Sequence, residues 1–147
     1  MSNYTITQNQ TPTNDEGGLI IINHVTYALY LFSFFTVGLT WLLAIIINYV
    51  KRGDSQGTWL QSHFEWQINT FWYGIVMALI ATLLMIVGLP AGIAAIATDD
   101  PMSSFSLLSL SGLLVLAGAA LWFFIICWHL YRIIRGWLQL ASRRTVP

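Results

Sequence analysis

Apolar positions fall into three long blocks, at residues 19–50, about 68–97 and 113–140, with shorter polar stretches between them. A helix crossing hydrocarbon about 30 Å thick needs about 20 residues, so the second and third blocks each predict one spanning helix. The first block has 32 residues, too many for one upright crossing and few for two. Its middle, FFTVGLT (34–40), sets Gly38 between two threonines, which signals a turn, and puts Thr40 where it would cap the next helix. The pattern therefore predicts two short helices, about 21–35 and 40–51, folded as a hairpin, with one long helix as the alternative. Gly88, Pro90 and Gly92 are expected to end the third helix, because proline lacks the amide proton that continues one. The stretch 101–111, with five serines, reads as an interfacial loop or a short amphipathic helix. Beyond it, Gly112 and residues 117–120 are small enough to let a neighbouring helix approach closely.

Composition turns this pattern into a statement about solvent. Charged residues make up 8% of the 147, against about 25% in ordinary globular chains. Twelve charged side chains cannot cover a water-facing surface when 56% of the chain is hydrophobic. The fold class expected is all-α: a polytopic helical membrane protein with a short N-terminal helical hairpin and two full transmembrane helices (three transmembrane helices in the alternative). The first 18 residues are polar and lack Lys and Arg, so they cannot be the positively charged start of a signal peptide. They are expected to form a disordered tail, 1–18, ahead of a single helical membrane domain, 19–144. Net charge is zero, which gives no electrostatic argument for nucleic acid. The one cysteine, Cys127, lies in an apolar run and can form no intramolecular disulfide.

The cations set the expected orientation. Lys51 and Arg52 lie in the first loop, and Arg132, Arg135, Arg143 and Arg144 near the end of the chain, whereas the 98–112 loop has none. Lys and Arg are retained on the cytoplasmic side, so both chain ends and the 51–62 loop are expected there.

Candidate chemistry gathers at that level. In SHFEWQINTFWYG (62–74), His63, Gln67, Thr70 and Gly74 share one helix face, and Glu65 and Asn69 another. Polar groups at membrane depth cost several kcal/mol unless paired, so the first face should turn toward other helices. Asn48, His63, Glu65, Gln67, His129, Arg132 and Arg135 are the expected cytoplasmic-level polar network or ligand pocket. Asn23, His24, Thr26 and Tyr27 would join it in the hairpin reading. Trp59, Trp66, Trp72, Trp128 and Trp137 fit an aromatic belt at the same boundary. The three histidines are dispersed, without HExxH or CxxC spacing, so no metal and no cofactor is expected. No G-x-S-x-G turn or phosphate-cradling glycine loop occurs, and no catalytic residue is assigned.

Two stretches, INYVKRGDSQGTWLQSHFEWQINTFWYG (47–74) and WHLYRIIRGWLQLASRR (128–144), resemble a family of small bacterial multi-pass inner-membrane proteins of unknown function. That family is distantly grouped with the chloroplast inner-envelope import component of the Tic translocon (Tic twenty). Family members usually carry basic residues where this chain has Glu65 and Asn69. The resemblance implies an integral helical protein of the bacterial inner (cytoplasmic) membrane. The function expected is non-enzymatic: a small subunit or scaffold that binds partner membrane proteins or a second copy of itself within the lipid bilayer. The alternatives are a component of a transport or translocation complex, as an oligomer, and a binder of anionic lipid head groups. The centres of the third and last helices, 76–87 and 113–126, are apolar, which argues against a pore through one copy.

Overall fold

The computed structural model describes residues 14–36 and 38–147, and every regular element among them is helical. In chain order these are α1 (Asn14–Phe32), α2 (Leu39–Lys51), a 3-10 turn (Arg52–Ser55), α3 (Gln61–Ala97) and α4 (Pro101–Ala141). At about 1.5 Å per residue, the 37-residue α3 and 41-residue α4 are about 55 and 60 Å long. Both are long and apolar enough to cross a membrane.

The first apolar block is broken, as a hairpin requires. Gly38 adopts φ 86°, a left-handed conformation that glycine reaches without steric cost, and it reverses the chain between α1 and α2. Thr40 is not the cap expected of it. The N-cap position belongs to Gly38, and the Thr40 hydroxyl instead donates back to the Leu29 carbonyl at 2.9 Å, tying α2 onto α1. The expected 1–18 tail lies outside the described residues up to position 13, and α1 begins at Asn14. Glu16, within that helix, accepts a 2.7 Å hydrogen bond from the Trp59 indole, a partner 43 positions away that local composition could not reveal.

The chain forms two compact units. The first comprises residues up to Ile68 together with Arg135–Pro147, and the second Asn69–Ile134. Helices α3 and α4 each contribute to both.

The second unit is a pair of antiparallel helices with a seven-residue rhythm. Gly74, Ala81, Gly88 and Ala95 are buried on α3, and Ser111, Gly118 and Ile125 on α4. Seven is two turns at 3.5 residues per turn, the spacing that keeps one seam facing a partner helix. Small residues let that seam close tightly. A Cβ on Gly88 would lie 3.0 Å from Leu114 Cβ, and one on Gly118 3.1 Å from the Ala81 carbonyl oxygen. Two serines complete the seam, Ser111 donating to the Gly88 carbonyl at 2.8 Å and Ser104 to the Ala95 carbonyl at 2.6 Å.

This rhythm corrects one expectation and narrows another. Pro90 does not end α3, which continues to Ala97. One missing amide bond is tolerated in a helix whose neighbouring turns are held by Gly88 and Gly92 packed on α4. Residues 101–111 are helical, as one of the two readings had it, but form the opening turns of α4 rather than a separate loop or short helix. Their serines bond to helix carbonyls, Ser106 to Ser103 at 3.0 Å and Ser109 to Phe105 at 2.8 Å, so their polarity needs no water.

Asp100 starts α4. Its carboxylate accepts from the Ser103 hydroxyl at 2.5 Å and the Ser103 amide at 2.9 Å, with Pro101 at the first helical position. These bonds, the hydroxyl's first, hold the Asp100 carboxyl below its ordinary pKa of 3.8. A depressed carboxyl stabilises the fold above that value, and the contribution is lost as pH falls through the lower folded-state pKa. The Ser103 amide resonance is expected to shift with a midpoint below 3.8 and to lose its pH response in Asp100→Ala. A midpoint at or above 3.8 would contradict the cap.

Candidate functional site

The first unit buries an unusual amount of polar chemistry. Asn23, Thr26, Asn48, His63 and Gln67 are all at most 2% exposed. Burying an amide unpaired costs on the order of 1–3 kcal/mol, so each must find a partner. Three of them form a directional chain across three helices. The Asn48 amide on α2 donates to Gln67 Oε1 on α3 at 2.9 Å, and the Gln67 amide donates to Asn23 Oδ1 on α1 at 3.1 Å. The Asn23 amide closes the chain on the Leu19 carbonyl at 3.1 Å. Tyr30 adds a bond from its hydroxyl to the Gln67 backbone carbonyl at 3.1 Å.

One helical turn before Gln67, His63 forms a second node. Its Nε2 lies 2.8 Å from the Arg144 carbonyl oxygen, which can only accept. The proton therefore sits on Nε2, and Nδ1 is left to accept from the Tyr27 hydroxyl at 3.1 Å. Trp59 stands edge-on to the imidazole at 5.6 Å. Tyr27 in turn lies over Gly136. A Cβ there would come within 2.8 Å of two ring carbons and closer still to the hydroxyl oxygen, so only glycine fits. Next along α4, the Trp137 indole donates to His24 Nδ1 at 2.8 Å.

The chain leaving α4 returns to the same node. The Arg143 amide bonds to the Leu140 carbonyl at 3.0 Å and the Arg144 amide to the Gln139 carbonyl at 2.9 Å, the paired bonds of a Schellman turn. Arg143 takes the left-handed position, φ 51°, that such turns usually give to glycine. Two residues on, the Val146 amide donates to Ser62 Oγ at 3.2 Å, and the Val146 side chain is buried.

Of the seven residues expected to form the network, Asn48, His63 and Gln67 lie buried in this unit. Glu65 does not join them. It is exposed, as is Asn69, because both lie on the opposite face of α3. Glu65 accepts from the Gln61 amide at 2.8 Å and, with Arg52, Gln56, Gln61 and Phe64, lines an open depression of about 240 Å³. Arg135 is exposed in the first unit. His129 and Arg132 belong to the second, where Arg132 Nε donates to Thr70 Oγ1 at 2.6 Å and its guanidinium stacks on Trp128 at 5.1 Å. His129 is buried there, edge-on to Trp128 at 5.3 Å.

Sequence reasoning missed Tyr30, Glu16, Gly136, Ser62 and the Arg144 carbonyl. Only Tyr30 left a signal, since it follows Asn23 by seven and so shares its helix face. Among the described residues, no group of three or more His, Cys, Asp or Glu side chains is placed to hold a metal ion. What the arrangement does chemically is fix α1, α2, α3 and the end of α4 in one register through a chain of buried and part-buried hydrogen bonds. The sequence matches no family model, no curated protein and no solved structure.

Proposed function

We propose that the chain is an integral protein of a bacterial inner membrane, with α3 and α4 spanning it, the α1–α2 hairpin inserted from the cytoplasmic face, and both ends cytoplasmic. Its function is to bind partner membrane proteins as a small subunit, without a reaction of its own. One observation carries this reading: the second unit is inverted relative to a soluble fold. Its seam is lined by glycine, alanine and serine, while Leu79, Leu83, Ile86, Ile93, Leu116 and Phe123 project outward, each more than 60% exposed. Water does not tolerate contiguous apolar surface on that scale, whereas lipid and partner helices do.

The polar chemistry supports a structural role for the first unit. Both His63 nitrogens are engaged, and the amide chain is directed inward, which leaves neither to activate a nucleophile. The charge pattern supports the orientation, because Lys51 and Arg52 precede α3 while residues 98–112, which follow it, carry neither Lys nor Arg.

Topology and partnership are tested separately. In a Cys127→Ala background, needed because Cys127 is exposed, Asp99→Cys is expected to react with an impermeant thiol reagent on intact cells. Gly53→Cys should react only after the membrane is opened. The reverse pattern overturns the orientation. Purified from its own membrane in mild detergent, the protein should carry a stoichiometric membrane-protein partner, and a clean monomer overturns the subunit reading.

A further inference from the structure

The start of α3 holds the segment that follows α4. Ser62 and His63 engage the backbone of the segment after α4 at two points, a carbonyl and, two residues on, an amide. Each contact uses the only capacity its side chain has left. The Ser62 hydroxyl spends its proton on the Trp59 carbonyl at 2.9 Å and offers a lone pair to the Val146 amide. His63 Nδ1 is taken by Tyr27, so Nε2–H faces outward to the Arg144 carbonyl. Between these points the side chains of Arg144 and Thr145 are exposed and read by nothing, and beyond them Val146 is buried. Backbone at two points and one apolar side chain is the chemistry that recognises an extended segment largely independent of its sequence.

The occupant enters the site through a strained turn. Arg143 occupies a left-handed position that penalises a side chain, so the turn feeding residues 144–146 into the site is less favourable than a glycine turn would be. Strained backbone of this kind concentrates where a conformation must be given up as well as held.

We propose that Ser62, His63 and the Val146 site form an exchangeable peptide-binding cleft, filled in cis by residues 144–146. Its trans ligand is an extended segment of a partner protein with a β-branched or similarly sized apolar residue two positions after the held carbonyl. This deepens the partner-binding function and rests on it. Because the cis segment is tethered only two residues beyond α4, its effective concentration is on the order of millimolar or more, and a partner must displace it.

The test uses the purified full chain in mild detergent and a fluorescent peptide copying residues 141–147. Full-chain Val146→Asp, which expels its own segment, is expected to bind this peptide at least about tenfold more tightly than the unmodified chain, since the apparent affinity scales with the open fraction. Adding Ser62→Ala should weaken that binding, and a peptide with aspartate at the position of Val146 should not bind. Equal peptide affinity for the unmodified and Val146→Asp chains overturns the cleft. A second measurement needs no substitution. Trypsin should cut the unmodified chain after Arg144 several-fold faster when an excess of the peptide, with glutamine for both arginines, displaces the segment. Unchanged cleavage also overturns it. Arg143→Gly, by easing the turn, should slow the same cleavage. A partner complex that survives without peptide binding removes only the cleft, whereas peptide binding by a chain with no partner removes only the subunit reading.

Discussion

Gly136→Ala is expected to destabilise the protein by about 2–6 kcal/mol, although it adds one methyl group. The new Cβ would overlap the Tyr27 phenol, which is 1% exposed and cannot swing away without leaving His63. Forcing a methyl into a filled site costs about 1–3 kcal/mol. Displacing the hydroxyl leaves His63 Nδ1 buried without a donor, about 1–3 kcal/mol more. Either term alone would be a large share of a total stability of about 5–15 kcal/mol. Denaturant or SDS unfolding in mild detergent, followed by tryptophan fluorescence, gives the value. Tyr27→Phe should cost about 1–3 kcal/mol by itself, for the lost donor alone. In the double variant the costs should not add, because both substitutions break the same hydrogen bond. Additive costs, or a Gly136→Ala protein as stable as the parent, would mean that Tyr27 is not held as described.

That glycine also marks the limit of what the sequence reveals. RIIRGWLQL reads as ordinary helix with an isolated glycine, and nothing local says that a tyrosine from α1 lies against it. Long-range pairings such as Tyr27 with Gly136, or Glu16 with Trp59, depend on which helices meet, and periodicity gives only faces. Faces were legible. The division of α3 into a buried side with His63, Gln67, Thr70 and Gly74 and an exposed side with Glu65 and Asn69 follows from 3.6-residue spacing alone. The break at Gly38 was legible for the same reason, since a turn needs a residue tolerant of positive φ. Residues 101–111 are compatible with a loop or a helix from sequence, because serine suits either. In a close helix pair it acts as a small residue with its own internal hydrogen bond, and the seven-residue step from Ser104 to Ser111 to Gly118 was the signal available. Proline did mislead, because a long helix packed on both sides of Pro90 outweighs one lost amide bond.

Gln67→Leu should be about as damaging as Gly136→Ala, about 2–6 kcal/mol, by the opposite route: the volume is kept and the partners are stranded. The substitution leaves the Asn48 amide without its acceptor and Asn23 Oδ1 without its donor, both in residues that are fully buried. Each stranded group costs about 1–3 kcal/mol, and Asn48 begins at a disadvantage because its Oδ1 already lacks a partner. Replacing all three amides together, Asn23→Leu with Asn48→Leu and Gln67→Leu, removes the stranded groups along with the bonds. That triple variant should recover most of the stability lost by the single one, since a well-packed apolar substitute for a buried polar set is often near neutral. The comparison also separates structure from function. If the amide chain serves only to register α1, α2 and α3, the triple variant should fold and still retain, through purification in mild detergent, the partner we propose for the parent chain. A triple variant that is stable yet arrives alone would mean that the amides are read by the partner, and a Gln67→Leu protein with unaltered unfolding would mean that the three side chains are not joined at all.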